Sequence, residues 1–154
     1  MSFSIRQTIA AFAAPKHRLS CRSSLWREIC VELSRRGGGR HESGAFLLGS
    51  VGPKRRILRA VYYDDPDPHV FDSGFVILDG SVYGELWSIC RATELQVIAD
   101  VHTHPGVGLQ SPTDAANPMI MTAGHVALIV PNYARGAAVA LQEVGIYEYC
   151  GEHR

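Results

Sequence analysis

The chain of 154 residues lacks any apolar run near the ~20 residues that a membrane-crossing helix needs, so no membrane partner is expected. It also lacks an excess of charge of either sign, because lysine plus arginine equals aspartate plus glutamate at 15 each. That balance removes the basic footprint of nucleic-acid and anionic-lipid binders, and no nucleic-acid partner is expected. Cysteine is scarce and scattered: Cys21, Cys30, Cys90 and Cys150 form no C-x-x-C pair, which excludes a zinc-ribbon or dithiol redox signature. A domain of this size does not depend on disulfides, and buried, reduced thiols in a cytoplasmic protein are expected. Cys150 and His153 have ligand-like spacing but no second pair to complete a site. There is no internal repeat and no low-complexity tract. The run Ile9 to Ala14 is short for a signal peptide and its flank is weakly basic, so it is assigned to the fold.

What is present is globular. A hydrophobic content of 46% with 19% charged residues suits one domain, 1–154, with its own core. Residues 3–12 read as an early strand, with Ile9 to Ala14 open to helix, and Pro15 to Arg18 as a break. Leu25, Trp26, Ile29, Cys30 and Leu33 recur at helical spacing over Ser24 to Arg36, and Gly37-Gly38-Gly39 stops that helix. Arg35, Arg36 and Arg40 read as its solvated, basic end. Gly44 to Gly49 is a nearly continuous apolar strand, expected to pair with Ile57 to Tyr63 across Gly52-Pro53-Lys54. Asp64 to Gly74 is an acidic loop without calcium-loop spacing, open to contact with a basic partner. Asp79 to Leu95 reads as a second amphipathic helix capped by Asp79, with Tyr83 and Trp87 in the core. Val126 to Val130, Ala137 to Gln142 and Val144 to Tyr149 read as three closing strands, with His125 structural. The sum is a mixed α/β (α+β) fold, a sheet flanked by helices.

One stretch organises the rest: His102-Thr103-His104-Pro105, then Ser111-Pro112-Thr113-Asp114. It follows Gln96 to Asp100, a β-branched run that reads as a buried strand. Residues i and i+2 of a strand share a face, so His102 and His104 can aim two imidazoles at one point. Pro105, Gly106 and Gly108 turn the chain away. Ser111 reads as an N-cap with Pro112 at the first helical position, a turn that can return Asp114 to the histidines. Two nitrogens and a carboxylate oxygen suit one Zn²⁺ per chain, and three protein ligands leave the fourth position open, as catalytic sites require. The competing reading is an ordinary capping pattern beside a chance H-x-H pair.

The stretch resembles the JAMM motif of MPN-domain (JAB) metalloproteases: a distant glutamate, His-Thr/Ser-His-Pro, then Ser-x-x-Asp. His41-Glu42-Ser43-Gly44-Ala45-Phe46-Leu47-Leu48-Gly49 resembles the segment that carries the family's glutamate. The loop from Pro105 to Gln110 is one residue shorter than is usual in the family. The resemblance implies a curved, MPN-like mixed sheet. It also implies metal ligands His102, His104 and Asp114, with Glu42 as acid–base and Ser111 as oxyanion donor. It further implies a compact prokaryotic enzyme hydrolysing the bond after the glycine tail of ubiquitin or a ubiquitin-like modifier. The setting would be conjugation, precursor processing or an antiphage system, with E1/E2-like proteins as possible partners. A non-catalytic MPN scaffold, and a zinc amidase acting on a small molecule or carrier-protein adduct, are the alternatives.

Overall fold

The computed structural model describes residues 19–52, 54–66, 68–70, 78, 80–136 and 139–151. Strands β1 (Leu19–Ser20), β2 (Gly44–Ser50), β3 (Arg55–Tyr62), β4 (Gln96–Thr103), β5 (Val126–Val130) and β6 (Gly145–Glu148) form one mixed sheet. Their order is β1-β3-β2-β4-β5-β6. β2 pairs antiparallel with both β3 and β4, β5 runs parallel to β4, and β6 closes antiparallel on β5. The helices are α1 (Ser23–Arg36), α2 (Gly80–Thr93) and the short α3 (Pro112–Ala116). The result is the mixed α+β sheet flanked by helices that the sequence predicts.

The central strands β2 and β4 are buried on both faces, which explains the nearly unbroken apolar run of β2. Trp26, Ile29, Cys30 and Leu33 of α1 pack against Ala45, Leu47, Ala99, Val101 and the inward side chains of β5. Val82, Leu86 and Cys90 of α2 pack against Phe46, Leu48, Val61 and Tyr63 on the opposite face. Each fully buried aliphatic side chain contributes about 1.5–3 kcal/mol through area removed from water. In the β2–β4 register, Gly44 lies opposite His102, Ala45 opposite Val101 and Phe46 opposite Asp100. Thus Asp100 and His102 emerge on the α2 face, while Ala99 and Val101 face α1.

Several expectations need correction. Arg36 is not a solvated helix end: it lies over the Tyr62 ring and pairs with Glu32, Asp64 and Asp65. Those contacts commit Asp64 and Asp65 of the acidic loop within the chain. Trp87 is 42% exposed, because the buried positions 82, 86 and 90 put residue 87 about 100° around α2. Tyr83 is half-buried and donates its hydroxyl to the Met119 carbonyl at 2.9 Å. α3 stops at Ala116 and not near Thr122, since Pro118 disfavours a helical residue before it. The described part of the expected strand over Ala137 to Gln142 is no strand. Leu141–Glu143 is a single 3₁₀ turn, and the Val139 carbonyl accepts from Trp26 Nε1 at 3.1 Å. Cys30 and Cys90 are buried thiols, Cys21 is partly buried and Cys150 is exposed. The early strand over residues 3–12, the break at Pro15 to Arg18 and the Asp79 cap lie outside the described residues. Among the described residues no helix is long and apolar enough to cross a membrane.

Candidate metal centre

β4 runs through the first histidine, ending at Thr103, so His102 keeps strand geometry and His104 follows directly. The main chain of His104 is clamped from both sides. Its N–H donates to Val130 O at 2.9 Å, and its carbonyl accepts from Tyr133 N at 2.8 Å. That second clamp comes from a turn in which Asn132, Tyr133 and Ala134 all have positive φ, 53°, 52° and 54°. Left-handed geometry costs a non-glycine residue roughly 1–2 kcal/mol, so the turn stores strain beside the site.

The loop after His104 is pinned to β6. Gly108 and Gly145 lie so close that a Cβ on Gly145 would fall 1.7 Å from Gly108 O. Tyr147 then reaches over, its hydroxyl accepting from Gln110 N at 3.0 Å. The loop delivers Ser111 as the N-cap of α3. Ser111 Oγ accepts from Asp114 N at 3.1 Å, and the Asp114 carboxylate accepts from Ser111 N at 2.8 Å. This reciprocal capping box aims Asp114 back at the histidines. Capping and ligation are therefore not competing readings of Ser-x-x-Asp, because one geometry does both.

The three side chains converge. Potential ligand atoms of His102, His104 and Asp114 all lie within 4.8 Å of one another. His104 Nε2 is 3.2 Å and His102 Nε2 3.9 Å from Asp114 carboxylate oxygens. Both imidazoles are buried, and neither nitrogen of His102 has a hydrogen-bond partner. A buried polar atom without a partner costs about 1–3 kcal/mol, so a group that satisfies it is called for. Two imidazoles and a carboxylate fit a borderline cation such as zinc. The residues present therefore fit the metal that the motif implies.

Glu42 sits two residues before β2, and Thr103 N donates to Ser43 O at 2.9 Å, one residue beyond the pairing of Gly44 with His102. Its neighbour Ser43 is fully buried and held on both sides. The Ser43 N–H donates to Thr103 Oγ1 at 3.0 Å and its hydroxyl to Leu33 O at 2.8 Å. Glu42 itself is partly buried. Burial opposes protonation of His102, but Asp100 first, then Asp114 and Glu42, raise its pKa overall.

Sequence reasoning missed two residues behind the ligands. Asp100 is buried on the same face of β4 as His102, its Oδ1 2.6 Å from His125 Nε2 and its Oδ2 3.4 Å from the Tyr63 hydroxyl. Burial works against its charge, yet the nearby His102 imidazole and the hydrogen-bonded His125 hold its pKa below the usual range. The signal available was period two: Asp100 and His102 alternate along β4, and His104 follows directly after its end. Beside them opens a cavity of about 150 Å³, lined by Asp100, His102, Asp114, His125 and Tyr147 among others.

No protein-family model matches the chain. Among solved structures, it is similar to a protein from Salinibacter ruber, with 17% identity and a TM-score of 0.51 over 86% of this chain and 91% of that one. It is also similar to protein DSY2949 from Desulfitobacterium hafniense, with 12% identity and a TM-score of 0.55 over 88% and 94%. A JAB1/MPN domain protein from Archaeoglobus fulgidus aligns at 15% identity over 90% and 94%, with a TM-score of 0.48. The first two likenesses show a shared fold alone, and the third is too slight to carry an argument.

Proposed function

We propose that this chain is a zinc-dependent isopeptidase or peptidase of the JAMM/MPN type, hydrolysing the bond after the glycine tail of a ubiquitin-like modifier. The observation that carries the proposal is the convergence of His102, His104 and Asp114 around the two unpartnered nitrogens of His102. A non-catalytic scaffold has no need to bury an unsatisfied imidazole. When bound, zinc supplies Lewis-acid activation of water and of a carbonyl oxygen.

The chain's own residues supply the rest. The Glu42 carboxylate takes a proton from the attacking water and delivers it to the departing amine nitrogen. The Ser111 hydroxyl accepts from Asp114 N and so keeps its own hydrogen, which it donates to the carbonyl oxygen as negative charge develops there. Val107 and Leu109, in the loop between His104 and Ser111, and Met121, just after α3, are all exposed. Apolar side chains on the loops that carry the site suit a polypeptide substrate. A glycine tail can lie extended with its main chain hydrogen-bonded, which is how side-chain-free segments are recognised. Modifying enzymes of the E1/E2 class would supply the conjugate.

Glu42→Ala tests the mechanism. Zinc content is measured on the same sample as single-turnover cleavage of a ubiquitin-like protein fused through its glycine tail. Zinc stays at the wild-type level while cleavage falls by about 10²–10⁴, the usual worth of a positioned acid–base group. Near-normal cleavage removes Glu42 from the mechanism, and loss of zinc makes it a ligand.

A further inference from the structure

We propose that Asp100, anchored by His125 and Tyr63, is a positioning residue that takes the Nδ1–H of His102 and so presents an unprotonated Nε2 to the metal. The inference rests on the zinc reading of the site. It starts from the two bare nitrogens of His102. A neutral imidazole carries one N–H, and which nitrogen bears it is set by the acceptor it finds. Nε2 faces Asp114 across the ligand cluster, with Oδ1 at 3.9 Å. Nδ1 faces the other way, toward Asp100 Oδ2 at 3.8 Å. That gap is longer than a hydrogen bond, and a small movement of the ring closes it.

Asp100 is built to be the acceptor. Its Oδ1 is committed to His125 Nε2 at 2.6 Å, whereas Oδ2 holds only the long contact from Tyr63 and keeps a lone pair for His102. His125 is itself fixed by its main chain. Its N–H donates to Thr122 O and its carbonyl accepts from Tyr149 N, both at 2.9 Å. Tyr63 reaches Asp100 because Gly44, opposite His102, has no side chain: a Cβ there would fall 2.2 Å from Tyr63 Cε2. The start of β2, the residue after β3, β4 itself and the residue before β5 thus converge on one carboxylate behind one ligand. Such carboxylate–histidine–metal relays fix ring orientation and raise ligand basicity, and their loss commonly weakens metal binding 10–100-fold.

The test is zinc affinity by chelator competition in the wild type, Asp100→Leu, Asp100→Asn and His125→Gln. Each variant's metal-free melting temperature is recorded alongside. Asp100→Leu is expected to weaken zinc binding about 10–100-fold. His125→Gln and Asp100→Asn, which leave an acceptor in place, weaken it less. In the zinc-loaded wild type the His102 imidazole shows its proton on Nδ1 by ¹⁵N-edited NMR, with slow exchange that Asp100→Leu or His125→Gln accelerates. A purely structural role would lower the melting temperatures and leave zinc affinity and the Nδ1–H signal unchanged, which overturns the proposal. So does a proton found on Nε2. Should Asp100→Leu not fold, the other two variants decide on the same readouts. A wild type that binds no zinc overturns the site reading itself, and the positioning role with it.

Discussion

Two charged clusters sit at the margins of this sheet, and they differ in one respect. At the C-terminal end of α1, Arg36 donates to Glu32 and Asp64, pairs with Asp65 at 2.8 Å and covers the Tyr62 ring. At the end of β4, His102 and His104 face Asp114, yet both nitrogens of the buried His102 remain without a partner. The first cluster is electrostatically complete within the chain and ties α1 to the turn after β3. The second is complete only if something enters it. Satisfied charge is architecture, and a buried group left unsatisfied marks a site that awaits a ligand.

The comparison can be broken most severely at the ligands. His102→Ala and Asp114→Ala each remove one of three metal donors, so stoichiometric zinc and hydrolysis are lost together while the apo fold remains. Zinc analysis beside circular dichroism checks this; retention of full zinc by both variants would mean that other residues hold the metal. Ser111→Ala comes next. It removes the proposed oxyanion donor and the N-cap in one step. Turnover drops by about 10²–10³, and stability falls by about 0.5–2 kcal/mol. A rate loss without a change in zinc content separates the two roles, whereas a loss of zinc would show that the cap mainly aims Asp114.

The other cluster responds in the opposite manner. Arg36→Met keeps the aliphatic stem but strands Asp64, and it lowers stability by about 1–3 kcal/mol with zinc affinity unchanged. Denaturant unfolding against metal titration reads both. The smallest effect is the acid limb. The hydrogen bond from Arg35, helped by Arg36, holds the Glu32 carboxyl at about 2 against the opposing effect of burial. A depressed folded pKa contributes stability above the unfolded value, near 4.3, and that stability fades as pH falls toward 2. The wild type therefore loses stability between those values more steeply than Glu32→Gln does. Parallel slopes in urea unfolding at several pH values would remove Glu32 from the account.

Much of the site was legible because its rules are local. The alternation along a strand puts His102 and His104 on one face whatever surrounds them. Ser111, Pro112 and Asp114 form their cap within four residues. Helix α1 was visible through apolar spacing and its glycine stop, and β2 through its unbroken apolar run. The expected strand over Ala137 to Gln142 is absent from its described part for a non-local reason: the Val139 carbonyl accepts from Trp26, more than a hundred positions away, in place of a sheet ladder. Trp87 was misplaced because hydrophobicity alone does not tell which side of a helix meets the sheet.

What the sequence by itself determined is therefore the short-range part: the two long helices, the central strands, and which ligand types face one point. Only the tertiary structure decided the second layer. Asp100 meets His125 because β5 runs parallel beside β4, and meets Tyr63 because Gly44 leaves space for its ring. Arg36 meets Asp64 because the end of α1 docks on the turn after β3. These pairings join residues tens of positions apart, so their geometry depends on strand order and close packing, which no periodicity in the chain encodes. The strained turn at Asn132 to Ala134 belongs with them, since three successive non-glycine residues hold left-handed geometry only where surrounding contacts, here to His104 and Gly106, enforce it.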